Sequence, residues 1–385
     1  MRIINEVNIF SYGDSSKLSS WSNVPYFFTE TMIKMGIKVN RIDISPLPFA
    51  EKTYNKTILK ILKLLNTNIS YEYHRTFFHY ILTNSKIKKT LKLFPNSNAN
   101  IFLTFSFSSF KFSNKPSILF GDWTYEYLIN HFQNRKAGLL EKRSIKREKI
   151  NIEKSSLLLP LFPGITKIMK QEFKNKEIYY LGNVINSLYT PIEKEVLARK
   201  SGSLNLLFIG SVNYLDGAKC LLESFINLKK TYSYLKLHII GLTEKDLGFL
   251  PDDAHCHGYL DKGIDSSKQR YYELLMDAKI LINTSPKWGA FSSTIEAMYF
   301  YTPVIVSPYE EFLETFGSDI LFGKYCESNT PIILSNRIKE VLDNNEYLNM
   351  CVEAHKLVKG FTWNHYIEKA IEKMQPLISK NDKSV

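Results

Sequence analysis

The chain alternates strand and helix patterns twice over, with a polar interval near its middle, and that double alternation restricts its fold more than any other feature. The first cycle has a strand at Ile3–Phe10, a polar loop at Ser11–Ser20 and a helix near Pro25–Met35. Gly36 closes that helix, where glycine supplies the left-handed turn. Strands follow at Lys38–Ile44, Ile101–Phe105, Ser117–Gly121 and Ser156–Pro160, with helices after the last two. Pro163 and Gly164 open the final helix, as suits proline in a first turn. Residues 187–203 read as a linker, polar at both ends, with Pro191 and Gly202. The alternation then restarts with LNLLFIG at Leu204–Gly210 and a helix carrying Leu221, Leu222, Phe225 and Leu228 on one face. LKLHIIG at Leu235–Gly241, a helix near Arg270–Met276, a strand at Lys279–Asn283 and another from Pro303 complete it.

Strands separated by helices of this length imply parallel sheets. The expected fold is α/β, with two Rossmann-like doubly wound domains facing a cleft. Their boundaries fall at 1–186 and 204–363, with the linker at 187–203 between them. A terminal helix over 364–385 is expected to cross back to the first domain and to end in a frayed polar tail from Lys380. Ligands of such sheets bind beyond the carboxyl ends of the strands, so the cleft is the expected site.

Size and composition agree. A chain of 385 residues is too long for one ordinary core, and 44% hydrophobic with 23% charged residues fits a soluble globular protein. No apolar run reaches the roughly 18 residues of a membrane span. The N-terminal MRIINEVNIF lacks the order of a signal peptide. Cys220, Cys256, Cys326 and Cys351 are scattered without a CxxC pair, which argues against a disulfide framework or zinc ribbon and for a reducing compartment. The expected location is cytoplasmic, peripheral on the inner face of the membrane.

Fifty Lys+Arg against 38 Asp+Glu give a net charge of +12, which favours anionic partners. Arg135 to Lys149 holds seven basic and two acidic residues. A second basic stretch, Lys52–Lys63, places Ile58, Ile61, Leu62 and Leu65 on one helical face, with Lys56, Lys60 and Lys63 beside it. Two readings stand side by side: a solvated helix covering a core, or a helix lying on anionic lipid. Nucleic acid is not an expected partner, because no binding motif accompanies the charge.

The most informative stretch is Asn283–Pro308, NTSPKWGAFSSTIEAMYFYTPVIVSP. It reads as strand end, loop, helix and a new strand from Pro303. Gly289 allows close backbone approach, and Ser292 and Ser293 stand where a helix starts. Open amides and the partial positive charge of a helix start make a phosphate site. Glu296 follows one turn in.

This stretch resembles the donor-binding signature of GT-B glycosyltransferases of family 4, through Glu296-Ala297-Met298 on a helix and Pro303-Val304-Ile305 on a strand. Supporting pieces stand in order: Phe208-Ile209-Gly210, His238-Ile239-Ile240-Gly241, Gly258-Tyr259-Leu260, Met276-Asp277-Ala278 and Phe361-Thr362-Trp363. In the first half, Ser20 to Tyr26, Phe120 to Thr124, and Leu159-Pro160 through Leu181-Gly182-Asn183 fit as well. The resemblance implies metal-independent sugar transfer from a nucleotide diphosphate sugar to a surface-polysaccharide or lipid-linked oligosaccharide acceptor, with retention of configuration and no cofactor. It gives Glu296 the ribose hydroxyls, the Phe291, Ser292 and Ser293 amides the diphosphate, with Gly210 and Gly289 in the adjoining loops, and the Tyr259–Leu260 backbone the edge of the base.

The sequence departs from the family's pattern in three places. Trp288 stands where the first glutamate of the pair belongs, and Ser211 and Asp216 stand where phosphate-binding Arg and Lys belong. Lys219 and Lys287 are the candidate substitutes. Two rival readings follow: a degenerate relative that binds without catalysis, and another GT-B enzyme such as a nucleotide-sugar epimerase.

Glu296 also completes a Ser293-x-x-Glu capping box, so ribose ligand and capping residue both stand. Asp122 follows a strand and either steers the acceptor hydroxyl or caps the helix Thr124–Phe132. Ser22 and Asn23, ahead of Pro25, either present amides to acceptor or donor phosphate or mark a plain helix start. His255-Cys256-His257 lacks further ligands at metal spacing, and no metal site is expected.

Overall fold

Every strand runs parallel to its neighbours, in two separate sheets, as buried Val/Ile/Leu-rich strands between helices require. The computed structural model describes residues 4–18, 21–65, 67–285 and 291–382, with side chains through Ser379. The chain divides into a first unit, Met1–Asn183 with Trp363–Val385, and a second, Val184–Thr362.

The first sheet comprises β1 (Glu6–Ser11), β2 (Lys38–Asp43), β3 (Ala99–Phe102), β4 (Ser117–Gly121) and β5 (Leu157–Pro160), in the order β2-β1-β3-β4-β5. Its register is pinned by a buried amide row. Asn8 of β1 donates to Asn100 of β3 at 2.9 Å and accepts from Asn40 of β2 at 2.9 Å, each across from its strand partner. A slip of one residue would leave these amides unpaired in the core. The terminal helix, Trp363–Asp382, belongs to this unit: Trp363 lies edge-on against Phe28, and Tyr366 against Phe120 of β4.

The second sheet comprises β6 (Asn205–Ile209), β7 (Lys236–Ile240), β8 (Ala254–Cys256), β9 (Ala278–Asn283), β10 (Val304–Val306) and β11 (Gly323–Tyr325), in the order β11-β10-β9-β6-β7-β8. Strands β8 and β11 have three residues each and carry no alternation signal. The helix Leu215–Lys229 buries Leu221, Leu222, Phe225 and Leu228, the face its spacing predicts.

Two expectations need correction. The interval 187–203 is not a free linker: it contains the helix Glu193–Ser201, whose Val196 and Lys200 are buried in the second unit. Lys200 donates to the carbonyls of Leu275 and Ala278 and to Thr302 Oγ1, at 3.0, 2.8 and 2.7 Å. The polar composition hides this because a buried lysine there is met by three protein acceptors. The second correction concerns the helix Ile58–Leu65. It packs inward through Leu59 and Leu62, leaving Ile58, Ile61 and Leu65 exposed.

Among the described residues, no helix is long and apolar enough to cross a membrane. All four cysteines are unpaired.

Candidate functional site

In the second unit, glycines bring the carboxyl ends of β6, β7 and β9 together. The Gly210 amide donates to the Ile240 carbonyl at 3.0 Å, and a Cβ on Gly210 would meet the Phe208 ring at 2.9 Å. Gly241 has φ +93°, and a Cβ there would stand 2.5 Å from the Gly210 carbonyl oxygen, so both backbone conformation and space select glycine. A Cβ on Gly217 would lie 2.5 Å from Ser285 Oγ, just beyond β9. Thr284 donates to Asn329 at 2.6 Å and fixes the same strand end. The helix Ser292–Tyr299 begins beyond it. Its N-cap, Phe291, offers no side-chain bond to the first-turn amides, and Ser292 and Ser293 are half-buried. Such a start is competent to receive an anion.

Glu296 is buried, and both of its oxygens are engaged. The Lys262 ammonium donates to Oε1 and Oε2 at 2.7 and 2.8 Å, and the Tyr271 hydroxyl donates to Oε2 at 2.9 Å. Lys262 gives its third bond to the Asn186 carbonyl at 3.0 Å, and its ammonium lies 4.3 Å from the Tyr271 ring centre. Burial pulls the lysine down from its ordinary range while the facing carboxylate opposes that shift, and burial pushes the Tyr271 phenol well up. The capping-box reading is overturned. Phe291 rather than Ser293 is the N-cap, and the Glu296 carboxylate goes to Lys262 instead of back to the first turn.

The remaining donor-side candidates are dispersed. Ser211 is exposed after β6, Asp216 is exposed in the first turn of the helix Leu215–Lys229, and Lys219 is exposed one turn later. Gly258 has φ +61° and turns the chain into Tyr259, whose ring is exposed, and half-buried Leu260. Lys287, Trp288 and Gly289 lie outside the described residues. His238 of β7 joins the two histidines seen in the sequence: its Nδ1 is 3.2 Å from His257 Nε2, and its ring stacks on His255. Burial first, then the neighbouring histidines, lowers His238 to about 4. Among the described residues, no three His, Cys, Asp or Glu side chains are placed to hold a metal ion.

The first unit has its own pocket, of about 200 Å³, at the carboxyl ends of β1, β3 and β4. That is where a doubly wound sheet reverses strand order and takes its ligand. Asp122 lies in its wall and accepts from Trp21 Nε1 at 2.9 Å. Burial raises the Asp122 carboxyl to about 6, against the lowering effect of the indole N–H. The helix-cap reading of Asp122 is overturned, because Thr124 caps that helix through the Tyr127 amide. Arg75 donates to Ser106 at 2.9 Å and to Glu148 at 3.2 Å and covers the Tyr125 ring. The Tyr12 hydroxyl is buried in the same wall without a protein partner.

Trp21, Ser22 and Asn23 have φ of 39°, 51° and 69°. Three successive left-handed non-glycine residues cost about 1–2 kcal/mol each. Asn23 is the N-cap residue of the helix Val24–Lys34 but gives it no side-chain cap bond. The strained turn delivers the Trp21 side chain to Asp122.

Residues 190–358 match the family model described as glycosyl transferases group 1. That match falls within the second unit and is a likeness to glycosyltransferases over that stretch. Among solved structures, the sucrose-phosphate synthase of Thermosynechococcus elongatus superposes with a TM-score of 0.65 at 13% identity, covering 99% of this chain and 100% of that one. WaaG, a glycosyltransferase involved in lipopolysaccharide biosynthesis, gives 0.64 at 14% identity over 96% and 99%. A glycosyltransferase from Rickettsia africae gives 0.62 at 12% over 98% and 99%. The fold of the whole chain is that of GT-B glycosyltransferases. No curated protein matches the sequence.

The sequence points to Glu296 and Asp122 as candidates but not to the side chains that meet them. Lys262 is 34 residues from Glu296, and Arg75 is 73 from Glu148. No local spacing links either pair. Lys262 stands in an Asp-Lys-Gly turn that resembles any solvated loop. Trp21 is 101 residues from Asp122.

Proposed function

We propose that this glycosyltransferase moves a sugar from a nucleotide diphosphate sugar to a surface-polysaccharide or lipid-linked oligosaccharide acceptor, without a metal and with retention. The observation that carries this reading is the glycine-built mouth at Gly210, Gly217 and Gly241, beside the start of the helix Ser292–Tyr299, inside the stretch that matches the group 1 family. In the reaction the bond from the sugar's anomeric carbon to the β-phosphate oxygen breaks. The acceptor oxygen bonds that carbon and releases its proton, and the nucleoside diphosphate carries away the negative charge. Amides of Phe291, Ser292 and Ser293 face that developing charge, and fixed donors there lower the barrier. Lys219 and Lys287 supply the cations missing at Ser211 and Asp216.

Glu296 acts as a positioning residue in this reading: through Lys262 it holds the loop at Tyr259 and Leu260 that borders the base. Asp122, ionised at neutral pH, orients the acceptor hydroxyl, and Ser22 and Asn23 shape the wall through which Trp21 reaches it.

A second reading, nucleotide binding without transfer, is favoured by one observation: both Glu296 oxygens are already engaged. Product analysis separates the two. Incubation with nucleotide sugars and a lipid-linked oligosaccharide fraction is expected to give a lengthened glycan and free nucleoside diphosphate. Bound but unconsumed donor assigns the second reading, and an altered sugar formed without acceptor assigns an epimerase.

A further inference from the structure

The fold brings together two basic stretches that are far apart in sequence. The helix Ile58–Leu65 is anchored by Leu59 and Leu62 on a small cluster of Tyr54, Ile69, Tyr71 and Tyr73. Leu140 packs on that same cluster, so the helix Leu139–Lys154 starts beside it. The outer side of the first helix is apolar: Ile61, Leu64 and Leu65 are 59%, 84% and 83% exposed, and Leu139 of the neighbouring helix is 83% exposed. Leu139, Arg143, Lys146 and Ile150 share one exposed face of their helix by the 3.6-residue period. Arg147 leads on to exposed Phe77, whose ring centre is 5.8 Å away.

The rim of this patch is cationic. Among the described residues, Lys60, Lys63, Lys142, Arg143 and Lys146 pair with no carboxylate. Along the other flank of the longer helix runs a groove of about 640 Å³ lined by Lys136, Lys142, Lys146 and Lys149. Its two acids are already engaged: Glu126 pairs with Lys149 at 2.5 Å, and Glu153 accepts from the amides of Lys174 and Asn175. Single exposed leucines are ordinary. A ridge of large exposed aliphatic side chains on helices that share one underlying cluster, bordered by unpaired ammonium groups, is not, and it matches the apolar and anionic layers of a lipid surface in turn.

We propose that the first unit rests on an anionic bilayer through this patch, with the aliphatic ridge inserted below the headgroups and the lysines at the level of the phosphates. The inference rests on surface chemistry alone and holds for either reading of the reaction. A second copy of the chain is a poorer occupant, because self-association would set the cationic rims against each other.

The test is co-sedimentation of the full chain with phosphatidylcholine vesicles, with and without phosphatidylglycerol. Binding is expected only with the anionic lipid and falls as ionic strength rises. Leu64→Glu/Leu65→Glu and Lys60→Glu/Lys63→Glu are each expected to weaken partition by at least about tenfold. All four side chains are exposed, so both variants should melt like the parent. Leu321→Glu, an exposed leucine in the second unit, is the control and should bind normally. Equal binding to both vesicle types, no binding to either, or normal partition of both double variants overturns the proposal. So does a concentration-dependent dimer that Leu64→Glu/Leu65→Glu dissociates, which assigns the ridge to a second copy.

Discussion

The Lys262 ammonium bridges both oxygens of Glu296, at 2.7 and 2.8 Å, with the two side chains 9% and 4% exposed. A buried pair of this kind is costly to break from one side, because the remaining charge has no solvent. Glu296→Gln is expected to lose about 3–5 kcal/mol of stability, and Lys262→Met/Glu296→Leu to recover most of it. Denaturant titration of the single and double variants measures both. A Glu296→Gln protein as stable as the parent would contradict the pairing.

The same double variant tests the positioning role. With the loop at Tyr259 held by apolar packing, nucleotide affinity is expected to stay within about tenfold of the parent, or 1.4 kcal/mol. A folded double variant that binds no nucleotide assigns Glu296 directly to the ribose, the role the family resemblance implies.

Asp122 gives a pH signature. Its folded-state value of about 6 lies above the ordinary 3.8, so protonation favours the folded state. That stabilisation is complete below about 3.8 and is lost as pH rises through about 6. Transfer activity is expected to rise through the same range as the carboxylate forms. Asp122→Asn should cost about 10²–10⁴-fold in rate and abolish that limb. Trp21→Phe removes the indole donor that holds the value down, so the limb should move to higher pH. A profile flat from pH 5 to 8 in the parent would exclude Asp122 from the reaction.

Gly217 and Ser285 are coupled sterically. A helical glycine exchanged for alanine gains up to about 1 kcal/mol when space allows, but here the new Cβ would stand 2.5 Å from Ser285 Oγ. Gly217→Ala is therefore expected to destabilise the parent. In a Ser285→Ala background the 2.5 Å contact is gone and the Ser285 backbone nitrogen at 3.3 Å is the nearest atom, so the same change should cost markedly less. Equal effects in both backgrounds would refute the contact.

Lys200 carries an opposite pH dependence. Burial lowers it from 10.5 to about 7, so between those values the unfolded chain binds a proton that the folded chain does not. Stability should rise with pH across that window, and Lys200→Met should remove this contribution. An unchanged pH slope in the variant would place the lysine in a charged, fully compensated state.

Much of the architecture was legible because buried parallel strands announce themselves as apolar runs: Ser117–Gly121 was placed to the residue. Strands β8 and β11 were not, since each buries only one of its three residues, whereas the equally short β10 is buried throughout. The polar interval at 187–203 hid a helix because its one buried lysine, Lys200, meets its partners only at Leu275, Ala278 and Thr302. At the candidate site, Glu296 and Asp122 were found from their places after a strand or on a helix start. Their partners Lys262 and Trp21 were not, because tertiary folding alone brings them into contact. The ambiguous helix at Ile58–Leu65 shows the limit of periodicity. It finds an apolar face without saying which way that face points, and here Leu62 of that face packs inward beside Leu59 while Ile58, Ile61 and Leu65 are exposed.

The most direct test of the donor reading is titration of the protein with UDP, GDP, ADP and CMP and their sugar conjugates, followed by thermal unfolding. A nucleotide present at 100 times its dissociation constant stabilises the folded state by about 2.7 kcal/mol. The predicted result is a rise in melting temperature with one nucleotide family, largest for its diphosphate sugar. No rise with any of them would contradict a nucleotide-sugar site at the mouth formed by Gly210, Gly217 and Gly241.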